Sequence, residues 1–398
     1  MILGQRTTKT GKEYIGSVAD RVDDLKHPIK EFFVITNIET IRSDDIMKEL
    51  TKGKKNSFDM IIVDEVHKCK NPTSTQGKHL LKLTNAKFKI GLTGTILTNN
   101  PIDAYVPLKW IGAEHSSYSN FKYYYTVFTG PFNNIPLGYK NIPVLKDQLD
   151  KVSLRRQNDI LGLPDKNIIH EVVEMDSEQN KFYNNIVNGI VEQVDKVELN
   201  TTNLLAMSAR LRQATACPSM LTTEVIPSAK INRCVDLCDQ IISSGEKVVV
   251  FSIFKETLSV LEKELEQYKP LLCTGDIKDT IVNNNKVAFQ ENDTNMVMLC
   301  TAQKMGTGFT LNRAKYAVFI DCPWTAADCE QCEDRIYRIG TTTPVFIYYL
   351  WTQDTFDMHV KDIVSDKALI SGYIVDNQVP AALSNRLKEI IIDLKETD

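Results

Sequence analysis

The sequence predicts an α/β protein of two parallel-sheet lobes with a mostly helical segment between them. Three observations carry this expectation. Short β-rich runs alternate with helical stretches toward both ends of the chain; those runs are almost continuously apolar; and the region from 113 to 230 lacks the alternation. Apolar runs bounded by turns suit strands buried on both faces, and strand–helix alternation implies a parallel sheet covered by helices. The expected divisions are a first lobe over 1–112, an insertion and linker over 113–230, a second lobe over 231–375 and a peripheral tail helix over 376–398.

In the first lobe the expected strands are Phe32–Thr36 (FFVIT), Met60–Val63 (MIIV) and Phe88–Leu92 (FKIGL). In the second they are Lys247–Phe251, Met296–Cys300, Tyr316–Ile320 and Val345–Leu350. Lys255–Tyr268 carries Leu258, Leu261 and Leu265 at helical spacing. The middle segment is aromatic-rich over Tyr118–Phe128 and reads as helix over Ser177–Gln213.

Composition narrows the class. A chain of 398 residues accommodates two or three domains, and 42% hydrophobic with 25% charged residues is ordinary for a globular protein. A net charge of −4 gives no global basic field, so any nucleic-acid contact has to come from a local patch. No apolar run approaches a membrane span, and the first residues lack a signal peptide's apolar core. The nine cysteines therefore read as reduced thiols. Cys329 and Cys332 form C-x-x-C, and Cys234 and Cys238 lie one turn apart. Four thiolates hold zinc only if the pairs meet, and both pairs fall in helical stretches, which favours small buried side chains.

The stretch GQRTTKTGKEYIG (Gly4–Gly16) tests for a phosphate loop. That loop needs G-x-x-x-x-G-K-[ST], so that backbone N–H groups wrap the phosphates, the lysine reaches the outer ones and a hydroxyl holds Mg²⁺. Here Arg6 stands where the first glycine belongs and Glu13 where the hydroxyl belongs. No apolar strand leads into it. The stretch reads as a polar surface loop.

Four other motifs carry candidate chemistry. In MIIVDEVHKCKN an apolar strand ends in Asp64-Glu65, where parallel sheets place ligands. Asp64 is suited to hold Mg²⁺ through water and Glu65 to polarise an attacking water; the bland reading is two solvated carboxylates. GLTGT closes the next strand, and its Thr93 and Thr95 hydroxyls can hydrogen-bond those carboxylates and relay their state. In CTAQKMGTGFTL, Gly306 and Gly308 permit close backbone approach to a phosphate. In DCEQCEDRIYRIG, Gln331, Arg335 and Arg338 are spaced four and three and are expected to share one helical face. The two arginines could stabilise charge on a transferring phosphoryl group, or be ordinary surface arginines.

Taken together, IIVDEVHKCKN, GLTGTILTNNPIDAY, VFSIFKETLSVLEKEL, LCTAQKMGTGFTLNRAKYAVFIDCPW and QCEDRIYRIG resemble, in order, the motifs of the Swi/Snf-type helicase-like ATPases of superfamily two. FFVITNIETIR, SLRRQNDILGLPDK and LRQATACPSML add to the resemblance, which runs from about residue 32 to about 360. It implies two RecA-like lobes flanking a cleft, ATP and Mg²⁺ as cofactors, and motion along double-stranded DNA. Asp64, which would hold Mg²⁺ through water, Glu65, Gln331, Arg335 and Arg338 match the catalytic positions. His67, Thr93, Gly94 and Thr95 match the coupling positions. Gly306, Gly308, Arg335 and Arg338 match nucleotide-binding ones. DNA contact would be mainly to the sugar–phosphate backbone.

The sequence departs from the family at its start. The family's phosphate loop precedes the region matching FFVITNIETIR, and only residues 1–31 do so here. The first lobe is therefore expected to be incomplete, with bare strand edges and an apolar face, and to be completed by a separate polypeptide carrying the phosphate loop. The alternatives are a catalytically silent DNA-binding or scaffolding derivative, or an active motor whose phosphate loop has an unrecognised form. Without chromodomain-like, bromodomain-like or zinc-finger appendages the chain suggests a minimal prokaryotic or viral motor. It would then act in the cytoplasm of a bacterial or phage-infected cell, or in the nucleus if eukaryotic. No membrane association is expected.

Overall fold

The computed structural model describes residues 1–398 apart from 9, 12, 53–57, 95, 97–100, 130–134, 155–161, 195–199, 307–309, 366–380 and 397–398. The chain divides into two compact units, Met1–Arg155 and Arg156–Asp398. The segment 113–230 is thus not a body of its own: its first part folds with one unit and its remainder with the other.

The first unit opens with an antiparallel hairpin, β1 (Gln5–Thr7) against β2 (Glu13–Ile15), with Arg6 opposite Tyr14. GQRTTKTGKEYIG is therefore a hairpin rather than an irregular loop. Gly11 takes the positive φ of +80° at its turn, a conformation open to glycine at little cost. Arg6 sits 2.9 Å from Asp24 and 3.4 Å from Asp20. The helix Val18–Lys26 follows, started by a capping box in which Ser17 N–H donates to Asp20 and Asp20 N–H donates to Ser17 Oγ.

The expected strand Phe32–Thr36 is absent. Only Ile35 is bridged, to Ile2, through Leu3 N–H to Ile35 O at 2.9 Å and Ile35 N–H to Met1 O at 3.0 Å. Strand propensity in FFVIT finds no sheet edge to pair with along its length, and Phe32 stays 91% exposed. A 3₁₀ turn (Ile38–Arg42) and the helix Asp44–Thr51 come next, the latter capped by Ser43.

β3 (Met60–Val63) and β4 (Phe88–Gly91) form the parallel pair, with Met60 opposite Phe88 and Ile62 opposite Ile90. Neither has another strand partner among the described residues. On one face Ile61 and Val63 pack toward Val66, Leu80, Leu83 and Trp110. On the other, Met60, Ile62, Phe88 and Ile90 are 40–53% exposed. Tyr105–Ile111, Tyr118–Tyr125 and Ile142–Val152 are helices, and a hairpin of β5 (Thr126–Thr129) and β6 (Ile135–Tyr139) joins the last two.

The second unit holds a six-stranded sheet, parallel throughout: β7 (Lys166–Val173), β12 (Val345–Thr352), β11 (Tyr316–Phe319), β8 (Val248–Ser252), β10 (Val297–Thr301) and β9 (Leu271–Cys273), in that spatial order. Side chains alternate between two cores. Val249, Phe251, Met298 and Phe319 enter one; Val248, Val250, Leu299 and Val318 enter the other. The helices Ser177–Val194, Thr201–Ala216, Ala229–Ser243, Lys255–Glu264 and Asp279–Glu291 cover the sheet or pack against those that do.

Two sequence expectations change here. β7 lies in the segment read as strandless; Asn167, His170 and Glu171 break its apolar run, and Ile168 and Val172 face outward at the sheet edge. The tail is not peripheral: helix Ala381–Glu396 buries Leu387, Ile390 and Ile391 completely, among Tyr183, Ile190, Leu204, Met207 and Leu211. Among the described residues no helix is long and apolar enough to cross a membrane.

Candidate functional site

In the first unit the chemistry gathers where β3 and β4 end. Leu92 N–H donates to Val63 O at 2.8 Å and Val66 N–H to Leu92 O at 3.0 Å, so the two strand ends stay laced together. Between them the backbone turns sharply, and Glu65 adopts φ 52°, ψ 48°. Left-handed backbone at a non-glycine residue costs on the order of 1–3 kcal/mol and persists where its surroundings impose it. The turn lets Glu65 N–H donate to Asp64 Oδ1 at 3.0 Å and directs Glu65 to His67. His67 Nδ1 lies 3.1 Å from Glu65 Oε2 and 2.8 Å from Thr93 Oγ1. Thr93 and Glu65 thus both meet His67 at its Nδ1. Asp64 is exposed and Gly94 follows Thr93 on the surface. Thr95 lies outside the described residues.

The turn is anchored from below. Lys70 is buried and pairs with Asp103 at 3.1 Å, tying the motif to the turn Pro101–Ala104; burial lowers the lysine pKa and Asp103 opposes that shift. Helix Thr75–Lys82 passes so close that a Cβ on Gly77 would fall 1.9 Å from Asn71 O. Asp103 lies in the stretch GLTGTILTNNPIDAY without a role assigned from the sequence, and Gly77 falls outside every motif quoted above.

In the second unit, the helix Ala326–Glu333 includes Gln331 but ends before the arginines. Arg335 and Ile336 N–H instead bond three residues back, to Cys332 O and Glu333 O, and the chain continues in turns to Gly340 at φ +103°. Gln331, Arg335 and Arg338 do not share a helical face. Ile336 is drawn into the core and ends the helix's register; Arg335 is buried at 8% exposure while Arg338 is exposed. Both meet the stretch after β10: Leu311 N–H donates to Arg335 O at 2.7 Å, and Arg338 Nη1 donates to Thr310 Oγ1 at 3.3 Å. Gly306 ends the turn Ala302–Gly306, and Gly308 lies outside the described residues.

Two ties escaped the sequence reading. Glu333, nearly buried, accepts from Lys166 at 2.6 Å and from Tyr349 Oη at 2.6 Å, fixing the helix end to β7 and β12. Asp321 accepts from Ser252 Oγ and from Ile253 N–H, both at 2.6 Å, and burial raises its pKa. Arg212, from LRQATACPSML, donates to Cys322 O and lies 4.5 Å over the Trp324 ring, so two stretches recognised separately are packed together. An open hollow of about 480 Å³ at the ends of β8, β9 and β10 is lined by Lys255, Asp276, Thr301 and Lys304, among others; none of the residues singled out in the sequence lines it.

All nine cysteines are buried and free of disulfides. Cys234 and Cys238 belong to one core and Cys329 and Cys332 to the other, so the pairs do not meet. Among the described residues no cluster of three or more His, Cys, Asp or Glu could hold a metal ion.

The molecule is of the parallel α/β class, with an adjacent carboxylate pair at a strand's carboxyl end, where open parallel sheets bind ligands. The SNF2-related domain matches residues 7–220, and the helicase conserved C-terminal domain matches residues 229–340. The chain belongs to the SNF2-related family of ATP-dependent helicases. An ATP-dependent helicase of Mycoplasma genitalium is 24% identical over 346 residues, covering 85% of this chain and 32% of its own. FUN30 of Saccharomyces cerevisiae, an ATP-dependent helicase, is 23% identical over 476 residues, covering 96% and 42%. The SWI2/SNF2 ATPase core of Sulfolobus solfataricus, solved with double-stranded DNA, superposes with a TM-score of 0.47 at 22% identity over 90% of this chain and 74% of that one. The chain spans about a third to two-fifths of the length of these two curated relatives.

Proposed function

We propose that this chain is the greater part of an ATP-driven motor on double-stranded DNA, completed by a further polypeptide segment that carries the phosphate loop. The observation that carries the reading is the Glu65–His67–Thr93 cluster, because a bare carboxylate pair would not need a histidine held between its glutamate and the next strand's hydroxyl. Glu65 polarises and orients the attacking water, and His67 passes the state of that carboxylate to Thr93. Asp64 is suited to a water-mediated ion, since it is exposed and one oxygen already accepts Glu65 N–H. Mg²⁺ held there would neutralise phosphate charge. Within the second unit, Arg335 and Arg338 are the candidate cations for phosphate charge.

Support for a completing segment comes from β3 and β4. Parallel sheets are ordinarily covered on both faces, and two strands do not make a stable sheet. Met60, Ile62, Phe88 and Ile90 leave one face bare. A segment adding strands beside the pair and helices over that face would cover it and could bring a phosphate cradle to the carboxylates.

The test is to mix the chain with a polypeptide containing the phosphate loop, its strand and its helix, and to follow ATP hydrolysis with and without duplex DNA. DNA-stimulated hydrolysis is expected in the mixture, and Glu65→Gln is expected to abolish it. The burial of Arg335 favours a second reading, a catalytically silent DNA-binding derivative. Under that reading the mixture binds duplex DNA without hydrolysing ATP, and the motor proposal fails.

A further inference from the structure

From His115 through Lys146 the sequence has no aspartate or glutamate, yet it holds Lys122, Lys140 and Lys146 and five tyrosines, in a chain of net charge −4. The structure gathers Tyr123, Tyr124, Tyr139, Lys122 and Lys140 on the helix Tyr118–Tyr125 and the hairpin that follows it. In the helix Tyr118–Tyr125, Phe121 and Tyr125 are buried, and the Phe121 ring packs at a tilt against Tyr125 and Tyr105, at centroid distances of 4.7 and 5.2 Å. That anchors the inner face and turns Tyr123 and Tyr124 outward, 59% and 49% exposed. The β5–β6 hairpin adds Tyr139 at 46% and Leu137 at 71%. Tyr123 and Phe128 stack at 5.9 Å, with Lys140 5.3 Å over the first ring and Lys122 5.6 Å over the second. The end of the hairpin is fastened back by Lys140 N–H to Tyr125 O and Asn141 Nδ2 to Tyr124 O.

We propose that this surface binds single-stranded nucleic acid, with bases stacking on Tyr124, Tyr123 and Tyr139 and phosphates meeting Lys122 and Lys140. Rigid aromatic rings interleaved with ammonium groups serve both halves of a nucleotide, and stacking is indifferent to sequence. A protein-docking face would carry mixed charge, whereas this one carries a single sign. Carboxylates of the flanking segments are engaged: Asp103 is buried against Lys70, Glu114 accepts from Ser116 N–H and Gln148, and the exposed Asp147 pairs with Lys151. Secondary to burial, Asp103 shifts the Tyr118 and Tyr139 hydroxyls upward and Glu114 does the same to Tyr125. None of the motor residues lies on this surface, so the site goes beyond the motor reading and does not depend on it.

The full chain is titrated by anisotropy against fluorescein-labelled oligo(dT), oligo(rU) and a duplex, across a salt series. Binding to oligo(dT) is expected, and comparable binding of oligo(rU) would place recognition on the base and phosphate chemistry that the two share. Tyr123→Ala with Tyr124→Ala is expected to weaken single-strand binding on the order of tenfold or more, while Tyr124→Phe keeps it because the ring remains. Lys140→Gln is expected to flatten the slope of log K against log salt by about 0.7. Duplex affinity is expected to be unchanged by all of these. The lysine variant keeps the test decisive should the double tyrosine variant fold poorly. Absence of single-strand binding by the wild-type chain, or alanine and glutamine variants that bind as the wild type does, would overturn the proposal. Failure of the motor reading shows separately, as a reconstituted mixture without ATP hydrolysis.

Discussion

At the scale of single residues, the turn at Asp64-Glu65 is held by contacts that its own sequence does not announce. Asp64-Glu65 is legible because an apolar strand ends in adjacent carboxylates. The left-handed backbone of Glu65 and the position of His67 between Glu65 and Thr93 are not, because they depend on the loop from β4 arriving alongside. Gly77 shows the same dependence. Its missing side chain admits the carbonyls of Asn71 and Cys69, which a Cβ would meet at 1.9 and 3.0 Å. Both obstacles are backbone, so neither can rotate away. Gly77→Ala is expected to push the Asp64–Asn71 loop out of place and to lower stability by about 1–3 kcal/mol, read by denaturant unfolding, with loss of turnover in the reconstituted mixture. An alanine variant with unchanged midpoint and turnover would show that the helix moves aside at no cost.

At the scale of elements, the four inner strands of the six-stranded sheet were legible and its two edge strands, β7 and β9, were not. β8 and β10 are buried on both faces and read as unbroken apolar runs. β7 pairs with β12 over eight residues, but its outer face meets no core, so polar residues interrupt it. One of them has a pH consequence. Trp351 Nε1–H donates to His170 Nδ1 at 3.0 Å, which requires that nitrogen to be deprotonated. Burial, with a smaller contribution from Lys361, lowers the His170 pKa below its usual value. A histidine pKa depressed by folding contributes stability above about pH 6.5 and loses it as pH falls through the folded value. The thermal midpoint is therefore expected to fall on acidification below that range, and His170→Phe is expected to reduce the decline. A variant with the same pH profile as the wild type would remove His170 from the account. Arg335 and Arg338 teach the converse lesson: helical spacing was present, but Ile336 is claimed by the core and the helix stops at Glu333.

At the scale of the whole molecule, the two units differ in completeness. The second has six strands with a packed core on each face of its sheet. The first has a parallel pair with one face bare, and an FFVIT segment bridged at a single residue. Expressed separately, residues 162–398 are expected to unfold in one cooperative transition, whereas residues 1–154 are expected to bind an apolar dye and to melt lower and more broadly. Sharp melting of the first unit without dye binding would show that it needs no completing segment. The order of the motifs, the α/β alternation and the family were all determined by the sequence alone, because strand ends carrying carboxylates, glycines or hydroxyls are local patterns. Only the tertiary structure decided which residues surround Glu65, where the arginine helix stops, that the tail buries Leu387 and Ile391, and that tyrosines and lysines far from the motifs share one surface. Those outcomes depend on which segments compete for the same core volume, and that competition is settled between residues distant in the chain.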